Sequence, residues 1–363
     1  MKIIVDISQV AYPGTGVARF TRGLVETILE HDTKRHEFVF FFSSLRRMLD
    51  ADLKKKFEGK NYHLIRYNIP PRALSLLWND IHKVKIERLV GDFDWVITSD
   101  WTEPPSSFKK ATVVHDLTYL RYPKTVEPTI LHTQAKRMKW VKKESSIIFA
   151  DSESTKEDLI EYLEIDPKKI YVNYPGVSIP EVSKETIAST LEKYNLNKPF
   201  ILAVGKIEPR KNLSRLIEAF SNLASQHELI IVGPAGWDSA RGETKNVRFL
   251  GYVTDSELSA LYSSCLFFVY PSIWEGFGYP VIEAMSLGAP VATSSTSSLG
   301  EVAHEVAILF DPHDVAEIQK ALQQLSSDQA LRTHLAKKGK KRASEFTWEK
   351  YYHKLIKALE QHS

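Results

Sequence analysis

Two glutamates, Glu275 and Glu283, flank the sequence Gly-Phe-Gly-Tyr-Pro, which follows an apolar run at 266–270 that is typical of a buried strand. We expect a helix to begin near Pro280, because proline is tolerated at the first helical position. Backbone N–H groups in such a loop, with the positive end of a helix behind them, suit a phosphate or the oxygens of a sugar. Carboxylates accept hydroxyl donors, so the pair suits a nucleotide-sugar. The alternative is a glycine-rich turn with two solvated glutamates.

A second candidate group is basic. Lys206 and Lys211 lie directly after a predicted strand at 200–204 and before a predicted helix. Two ammonium groups beside the N–H donors of a helix make a diphosphate site, and they would stabilise the charge on a departing nucleotide. Arg210 is a weaker candidate for the same role. The alternative is a solvated basic turn.

A histidine in the first half of the chain is the third candidate. His115 and Asp116 follow a short apolar run at 111–114, at the end of a predicted strand. Ligands of open α/β sheets bind at the carboxyl ends of the strands. A lone histidine after a strand is more often structural, but this position favours contact with a ligand.

Two further motifs resemble known sites but are interpreted otherwise. Gly14-x-Gly16 is similar to a dinucleotide fingerprint, but Arg19 occupies the third glycine position and no acidic residue ends the next strand. Both absences argue against NAD. The segment Asp92-Phe93-Asp94 is formally an Asp-x-Asp metal motif, but it precedes a buried strand, where acidic residues commonly mark a turn. We therefore expect no metal site, and no cofactor apart from the nucleotide-sugar substrate.

Alternating strands and helices must position these residues. The apolar runs predict strands at 2–8, 37–43, 93–99, 111–114, 145–150 and 170–173, and then at 200–204, 228–232, 247–250, 266–270 and 290–293. The predicted helices include 17–30, several in 45–90, 128–144, one in 179–199, one that continues to about residue 225, and one from 346. Two helix starts are predicted from capping residues, Ser154-x-x-Glu157 and Asp255. The alternation indicates an α/β protein with two doubly wound parallel-sheet domains.

Composition limits the class of protein. A chain of 363 residues suggests two domains, and its single cysteine, Cys265, excludes a disulfide framework and fits a reducing cytoplasm. We expect no signal peptide, and no apolar run approaches the roughly 18 residues that span a bilayer. The net charge of +3 is small and the sequence has no RNA- or DNA-binding motif, so nothing suggests nucleic-acid binding. Basic clusters at 46–56 and 136–143 predict a weak peripheral contact with an anionic membrane.

The stretch from Glu275 to Glu283 is very similar to the E-x7-E signature of the retaining glycosyltransferases of family 4, which have the GT-B fold. The resemblance extends from Gly14-Thr15-Gly16 to the C-terminal helix and is densest between 200 and 312. It implies two Rossmann-like domains that face a cleft. The acceptor-side domain would comprise 1–180 and the donor domain 181–345, with a helix at about 346–363 that packs back onto the first domain.

The resemblance also assigns roles around the glycine-rich loop. Glu283 would bind the ribose hydroxyls of the donor. Glu275, together with the backbone N–H groups of Phe277, Gly278 and Tyr279, would bind the donor sugar and the distal phosphate.

Further roles follow for the basic loop and for the segment 247–253. Lys206 and Lys211 match the basic pair that binds the diphosphate, although family members often have Arg where Lys206 stands. The segment 247–253, which includes Tyr252 and Val253, resembles the edge at which backbone groups bind the base. Side chains there give little indication of uracil or guanine.

In the first domain, His115 matches the histidine that contacts the donor sugar across the cleft. Gly16 would approach the phosphates or the acceptor, and Asp100 is a weaker candidate on the acceptor side. Because the predicted site uses both domains, we expect domain closure over the donor, with hinges near 176–199 and 346.

The implied function is retaining transfer of a hexose from a nucleotide-diphosphate sugar to a hydroxyl of a saccharide or lipid-linked acceptor in polysaccharide biosynthesis. UDP-hexoses such as UDP-glucose are favoured as donors, and GDP-mannose comes next. The implied mechanism is front-face substitution without a metal, in the cytoplasm or at the inner face of the membrane. Two alternatives stay open: a UDP-sugar epimerase with the same fold, and a non-catalytic nucleotide-sugar binding protein.

Overall fold

The computed structural model describes residues 1–12, 14–31, 35–57, 62–223, 227–236 and 245–363. The chain divides into two compact units. The first unit comprises Met1–Gly176 and Thr347–Ser363, and the second comprises Val177–Phe346.

The first unit alternates strands and helices over most of its length. Its strands are β1 (Lys2–Asp6), β2 (Glu37–Ser43), β3 (His63–Tyr67), β4 (Trp95–Ser99), β5 (Lys109–Val114), β6 (Ile147–Ala150) and β7 (Ile170–Val172). Its helices are α1 (Gly16–His31), α2 (Ala51–Phe57), α3 (Pro71–Ser75), α4 (Glu87–Val90), α5 (Thr118–Arg121), α6 (Pro128–Glu144) and α7 (Glu153–Leu163).

The second unit repeats this alternation, and the last helix returns to the first unit. The strands are β8 (Phe200–Val204), β9 (Glu228–Val232), β10 (Val247–Gly251), β11 (Phe267–Tyr270), β12 (Val291–Ser294) and β13 (Ile308–Phe310). The helices are α8 (Lys184–Lys193), α9 (Leu213–Phe220), α10 (Asp255–Ser264), α11 (Tyr279–Ser286), α12 (Ser297–Val302), α13 (Val315–Ser327) and α14 (Gln329–Ala343), followed by α15 (Trp348–Gln361) in the first unit.

Each unit has one parallel sheet. The strand order is β3-β2-β1-β4-β5-β6-β7 in the first unit and β10-β9-β8-β11-β12-β13 in the second. The order reverses between β1 and β4 in the first sheet and between β8 and β11 in the second. Ligands of such sheets bind outside the carboxyl ends of the strands, close to the point of reversal.

The composition of β2 shows why the first sheet is buried on both faces. Phe38, Phe40 and Phe42 pack into the core on one face, whereas Val39 and Phe41 pack into the core on the other. Successive side chains of a strand point to opposite faces, so a nearly continuous apolar run is required when helices cover both. The sequence Phe-Val-Phe-Phe-Phe therefore suits a strand that is covered on both faces and paired with β3 and β1.

The C-terminal helix is held on the first unit by a tryptophan between two glycines. A Cβ atom at Gly23 in α1 would lie 2.1 Å from the Trp348 ring, and one at Gly176 would lie 2.2 Å from the Trp348 backbone nitrogen. Only glycine leaves room for the indole at these two positions. The packing of α15 against α1 is thus determined by side-chain volume.

Several predictions of elements are corrected by the structure. The segment 45–90 was predicted to be helical, but it also contains β3, which pairs with β2 at the edge of the sheet that the described residues form. The predicted caps were one or two residues late: Ser152 caps α7, and Thr254 caps α10 in a capping box with Glu257. Helix α9 ends at Phe220. The predicted end near residue 225 lies outside the described residues.

Within the described part of the chain, no helix combines the length and apolar character needed to cross a bilayer.

Candidate functional site

Glu275 is the centre of a compact ionic cluster in the second unit. It lies in the loop between β11 and α11, and its side chain is only 12% exposed. Its Oε1 is 2.5 Å from Lys211 Nζ and accepts hydrogen bonds from the hydroxyls of Tyr270 (2.9 Å) and Ser272 (2.6 Å). Its Oε2 is 2.8 Å from Arg210 Nη1. The carboxylate is therefore buried and paired, which excludes the alternative of a solvated glutamate.

The fold brings this cluster together because β8 and β11 are neighbours. Arg210 and Lys211 lie in a 3₁₀ turn after β8, and Asn212 follows with a positive φ of 58°. The Asn212 amide donates to the carbonyl oxygens of Pro271 (3.1 Å) and Pro312 (2.6 Å). One buried asparagine thus joins the basic loop to the loop of Glu275.

The electrostatics of the cluster keep Glu275 ionised. Burial alone would raise the pKa of Glu275, but the positive charges of Arg210 and Lys211 outweigh it and lower the pKa to about 2. Burial and the neighbouring Arg210 lower the pKa of Lys211 below its ordinary value, against the attraction of Glu275. Two cations thus surround one carboxylate, and all three side chains are largely buried.

Sequence reasoning missed part of this cluster. Arg210 was the weaker candidate, yet it contacts Glu275 directly, and Glu208 binds Arg210 Nη2 at 2.8 Å. Tyr270 was assigned only to a buried strand, although Lys211 Nζ donates to its hydroxyl at 2.8 Å. A tyrosine at the carboxyl end of a central parallel strand was the available signal.

Lys206 lies where two loops approach closely. It is half-buried in the segment after β8. A Cβ atom at Gly233, which has a φ of 146°, would lie 2.2 Å from the carbonyl oxygen of Gly205. A Cβ atom at Gly236 would lie 1.9 Å from the carbonyl oxygen of Ile207. The loop after β9 therefore packs directly on the segment that carries Lys206, and only glycine permits this at both positions.

The glycine-rich loop ends at Gly278, whose φ of 89° and ψ of 50° place it in the left-handed region before α11. A Cβ atom there would lie 2.5 Å from Leu299, so conformation and space both require glycine. Phe277 packs edge-on against Tyr279 with ring centroids 5.2 Å apart. This turn leads from Glu275 to Tyr279, where α11 begins with the positive end of its dipole.

Glu283 lies in the body of α11 and is 2% exposed. Its Oε2 accepts a hydrogen bond from the Tyr262 hydroxyl of α10 at 3.3 Å. Glu283 is therefore also a buried carboxylate, and the Tyr262 hydroxyl of α10 helps to orient it. Its role toward a ribose stays a prediction.

Tyr252 and Val253, the predicted base-binding pair, differ in exposure. They follow Gly251, which ends β10 with a φ of 71°. Tyr252 is 71% exposed, whereas Val253 is 6% exposed and packs inside the unit. Of the two side chains, only that of Tyr252 is available to a ligand.

In the first unit, His115 follows β5 and pairs with Asp151, which follows β6. His115 Nδ1 is 2.7 Å from Asp151 Oδ2, and Nε2 is buried with no hydrogen-bond partner among the described residues. Burial alone would lower the pKa of His115, but the charges of Asp151 and Asp100 outweigh it and raise the pKa above 6.5. Asp151 was not predicted from sequence, although it directly follows an apolar strand.

Two other predicted residues of this unit lie at strand and helix ends. Gly16 begins α1, and a Cβ atom there would meet no described atom within 4 Å, so packing alone does not require glycine. Asp100 follows β4 with a positive φ of 63°, and Gln134 Nε2 donates to its carbonyl oxygen at 2.7 Å.

The Asp-x-Asp segment lies at the amino end of β4, away from the carboxyl edge of the sheet. Asp94 Oδ2 accepts a hydrogen bond of 2.7 Å from the backbone nitrogen of Lys2, which fixes the start of β1. Across the described ranges, the His, Cys, Asp and Glu side chains form no group of three that could hold a metal ion.

Comparison with known sequences identifies relatives over nearly the whole chain. Residues 14–180 match the family described as Glycosyltransferase Family 4, and residues 186–342 match Glycosyl transferases group 1. The chain is 30% identical over 353 residues to O-antigen chain mannosyltransferase RfbU of Salmonella typhimurium, covering 89% of this chain and 90% of that protein. It is 27% identical over 369 residues to O-antigen chain mannosyltransferase B of Escherichia coli, covering 96% and 97%. It matches 28% of the length of the serotype-specific mannosyltransferase WbdA of Escherichia coli, at 33% identity over 58% of this chain.

Solved structures with the same fold are also found. Sucrose-phosphate synthase from Thermosynechococcus elongatus superposes with a TM-score of 0.74 at 19% identity over 100% of both chains. Anabaena HepE, in complex with UDP and glucose, gives 0.74 at 18% identity over 99% of this chain and 100% of that one. WaaG, a glycosyltransferase involved in lipopolysaccharide biosynthesis, gives 0.72 at 15% identity over 99% of both. The prediction of two Rossmann-like parallel-sheet domains of the GT-B class is confirmed.

Proposed function

The chain belongs to the family 4 glycosyltransferases, and on that basis we propose that it transfers a hexose from a nucleotide-diphosphate sugar in polysaccharide biosynthesis. The proposed acceptor is a hydroxyl of a saccharide or of a lipid-linked molecule. We also propose that the transfer retains the anomeric configuration. The relatives and the fold make it a hexosyltransferase. The observation that carries the finer proposal is the cluster of Lys211, Arg210 and Glu275 at the reversal point of the second sheet.

Lys211 has the donor geometry for a phosphate oxygen. An ammonium group has three N–H donors, and the described residues take two of them, Glu275 at 2.5 Å and Tyr270 at 2.8 Å. We assign the third to the leaving diphosphate, together with Lys206 and Arg210. A cation that is buried and held by two acceptors stabilises developing charge without reorganising, and such electrostatic stabilisation supplies much of the rate enhancement of many enzymes.

Glu275 is suited to a sugar hydroxyl. Its Oε1 already accepts from Lys211, Tyr270 and Ser272, whereas its Oε2 faces Arg210. Each carboxylate oxygen has about two acceptor positions, and Arg210 takes one of those on Oε2, so we assign the second position of Oε2 to the donor sugar. In this proposal the N–H groups of the loop 277–279 bind the distal phosphate, Glu283 binds the ribose, and the segment 252–253 lies at the base.

We further propose front-face substitution. The bond between the anomeric carbon and the phosphate oxygen breaks, and the bond to the acceptor oxygen forms on the same face of the sugar. The acceptor proton passes to the leaving phosphate oxygen, whose charge Lys211 and Arg210 balance. His115 Nε2, which lacks a partner among the described residues, would bind a substrate hydroxyl. No metal takes part in this proposal, because the cations are supplied by side chains.

The names of the relatives bear on the donor. Both proteins matched over most of their length are called mannosyltransferases. We therefore propose mannose as the transferred hexose and GDP-mannose as the donor, ahead of the UDP-glucose that sequence alone favoured. Backbone groups would bind the base in the segment 247–253, so the side chains do not distinguish the two donors.

A ligand panel with product analysis tests this proposal. A donor at about 100 times its dissociation constant should add roughly 2.7 kcal/mol to the free energy of unfolding. We expect GDP-mannose to raise the melting temperature more than UDP-glucose or ADP-glucose, and GMP to raise it less than GDP. NMR of the product should show the α-anomer from an α-linked donor. An altered donor sugar formed without any acceptor would indicate an epimerase, and no stabilisation by any donor would overturn the proposal.

A membrane contact is a further part of the proposal. Leu45 and Met48 are 54% and 64% exposed in the loop after β2, beside the exposed Arg46, and Leu76 is 56% exposed after α3. Apolar side chains among cations suit the surface of an anionic membrane, which we take to be its cytoplasmic face. Flotation with vesicles that contain phosphatidylserine, but not with pure phosphatidylcholine, is expected, and Met48→Ser should weaken it. Equal flotation with both vesicles would contradict this contact.

A further inference from the structure

We propose that Asp151 is a positioning residue for His115, which fixes the imidazole so that Nδ1–H points to the carboxylate and Nε2 is presented to the substrate. The proposal deepens the proposed function, since it rests on the contact of His115 with the substrate. It concerns a residue that acts through another and does not itself touch the reacting atoms.

Strand register places the two side chains together. In the pairing of β5 with β6, Val114 is opposite Ala150, so the next residue of each strand, His115 and Asp151, lies at the same level of the sheet edge. The two side chains meet at 2.7 Å, and that of Asp151 is 3% exposed. A buried carboxylate at this distance is a strong, oriented acceptor.

The ring and the backbone of His115 are held independently. Phe20 of α1 packs edge-on against the imidazole, with centroids 4.7 Å apart and planes at 70°. Phe20 is itself packed against Trp348 and Tyr351 of α15, at 5.5 and 5.4 Å. The Thr155 hydroxyl, in the first turn of α7, donates to the His115 carbonyl oxygen at 3.2 Å. With backbone and ring both fixed, the bond to Asp151 determines which nitrogen carries the proton.

The consequence of this geometry is a defined role for Nε2. When Nδ1–H donates to a carboxylate, Nε2 of the neutral ring is an acceptor, and in the charged ring it is a second donor. In the described structure Nε2 is buried without a partner, as is Asp151 Oδ1. Buried polar atoms without partners are uncommon, and here they lie at the ligand-binding edge of the sheet.

Charged groups from several elements face this pair. Asp100 after β4 and Asp151 after β6 favour the charged ring, whereas Arg137 of α6 opposes it. Burial raises the pKa of Asp151, and Asp116 adds to this rise. On α15, burial raises the pKa of Tyr351, and the charge of Asp151 adds to it. Since Asp151 is the largest of the favourable influences on His115, its removal should lower the pKa of the ring.

The test compares Asp151→Asn with Asp116→Asn in the full chain. Asp116 is the matched control, because its carboxylate accepts from the Thr118 backbone nitrogen at 2.9 Å, a bond that an asparagine oxygen can replace, whereas the ring nitrogen Nδ1 is bound by Asp151. Two-dimensional ¹⁵N NMR of the imidazoles gives the tautomer and the titration midpoint of His115, assigned with His115→Gln. Steady-state kinetics with GDP-mannose give kcat and KM over the same pH range.

We expect wild-type His115 to carry its proton on Nδ1, and its midpoint to fall in Asp151→Asn but not in Asp116→Asn. We expect kcat of Asp151→Asn to fall about 10- to 100-fold, the loss typical of residues that orient a metal-bound histidine, with its pH profile shifted in the same direction as the midpoint. A purely structural role would lower the melting temperature without moving the midpoint.

An Nε2–H tautomer in the wild-type protein would overturn the proposal, and this measurement needs no variant to fold. An unchanged midpoint in Asp151→Asn, or an equal fall in kcat in Asp116→Asn, would overturn it as well. The spectra are recorded without substrate. If no donor in the panel binds, the proposed function fails, while the spectra still decide what Asp151 does to His115.

Discussion

The carboxyl edges of the two sheets carry opposite kinds of electrostatic environment. In the second unit, Arg210 and Lys211 surround the buried carboxylate of Glu275 and lower its pKa to about 2. In the first unit, acidic residues gather at the corresponding edge, and burial dominates. It raises the pKa of Asp6 to about 6 and also raises the pKa of Asp151. The same topology therefore supports one edge with fixed charges and one edge that titrates.

This contrast suits a division of labour in glycosyl transfer. In the proposed function, a leaving diphosphate needs cations whose charge is present before the reaction, and Arg210 and Lys211 of the second unit would provide them. In the first unit, burial alone would lower the pKa of His115, but the charges of Asp151 and Asp100 outweigh it and raise that pKa above its ordinary value, so the proposal gives this edge the groups that orient hydroxyls or exchange protons. Substitutions at each edge should therefore differ in what they change and in how the change depends on pH.

The largest expected effect is on turnover. Lys211→Ala removes a buried cation from the position where, in the proposed function, charge develops on the leaving diphosphate, and loss of one such donor typically lowers kcat by about 10²–10³. The exposed Lys320 of α13 is a matched control in the same unit, and Lys320→Ala should leave kcat unchanged. Steady-state kinetics and circular dichroism measure rate and fold. A folded Lys211→Ala protein with nearly normal kcat would remove this lysine from the mechanism.

The fixed-charge edge should lose stability when its carboxylate is neutralised. A pKa of about 2 for Glu275, against an ordinary 4.5, corresponds to about 3 kcal/mol of unfolding free energy. Because the folded-state pKa is depressed, this contribution is present above about pH 4.5 and is lost as the pH falls toward 2. Glu275→Gln should therefore destabilise the second unit at pH 7 and progressively less in acid. Urea unfolding at several pH values measures the difference, and a pH-independent loss would contradict the assignment.

The titrating edge should respond in the opposite direction. Asp6 has its folded-state pKa raised to about 6 from an ordinary 3.8, so the native state binds an extra proton between these values and stability falls as the pH rises. Asp6→Asn should stabilise the first unit by at most about 3 kcal/mol at pH 8 and by nothing below pH 4. The Ser8 backbone nitrogen and hydroxyl donate to Asp6 Oδ1 at 2.9 and 2.6 Å, and the amide oxygen of an asparagine can accept both bonds. The exposed Asp92→Asn serves as control; destabilisation by Asp6→Asn at pH 8 would refute the argument.

Features of the fold and the site could be predicted where a few consecutive residues specify them. The strand before Glu275, the helix after Pro280 and the basic turn after β8 are each written in a few consecutive residues, and the predicted strands 37–43, 200–204 and 228–232 match the structure residue for residue. The ion pair between Lys211 and Glu275 is not local. It requires β8 to lie beside β11, which no pattern within either segment specifies.

The same reason explains what was missed in the first unit. His115 was found because it ends a strand, but Asp151 becomes its partner only through the register of β5 with β6. Likewise, Gly23 and Gly176 give no signal of their own until Trp348, far along the chain, fills the space between them. The strand β3 was predicted to be helical because its alternation is short and its neighbours are charged.

The smallest expected effect is that of chelation. If Lys206, Arg210 and Lys211 supply the positive charge that the leaving diphosphate needs, excess EDTA should leave turnover unchanged. The Asp-x-Asp segment supports this expectation, because it lies at the amino end of β4 with Asp94 already bound to the backbone of Lys2 at 2.7 Å.

The deciding experiment measures kcat of the wild-type enzyme and of an Asp92→Asn, Asp94→Asn double variant. Each protein is assayed first with excess EDTA and then after magnesium or manganese is added back. We expect four equal values of kcat, because both aspartates precede β4 at the amino edge of the first sheet, whereas His115 follows β5 of that sheet and the cations follow β8 of the second. A wild-type activity that EDTA abolishes and magnesium restores would show that a metal supplies charge we have assigned to side chains. If the double variant alone failed to recover, the metal would be held by this segment, and the fixed charges of the second unit would not suffice for the reaction.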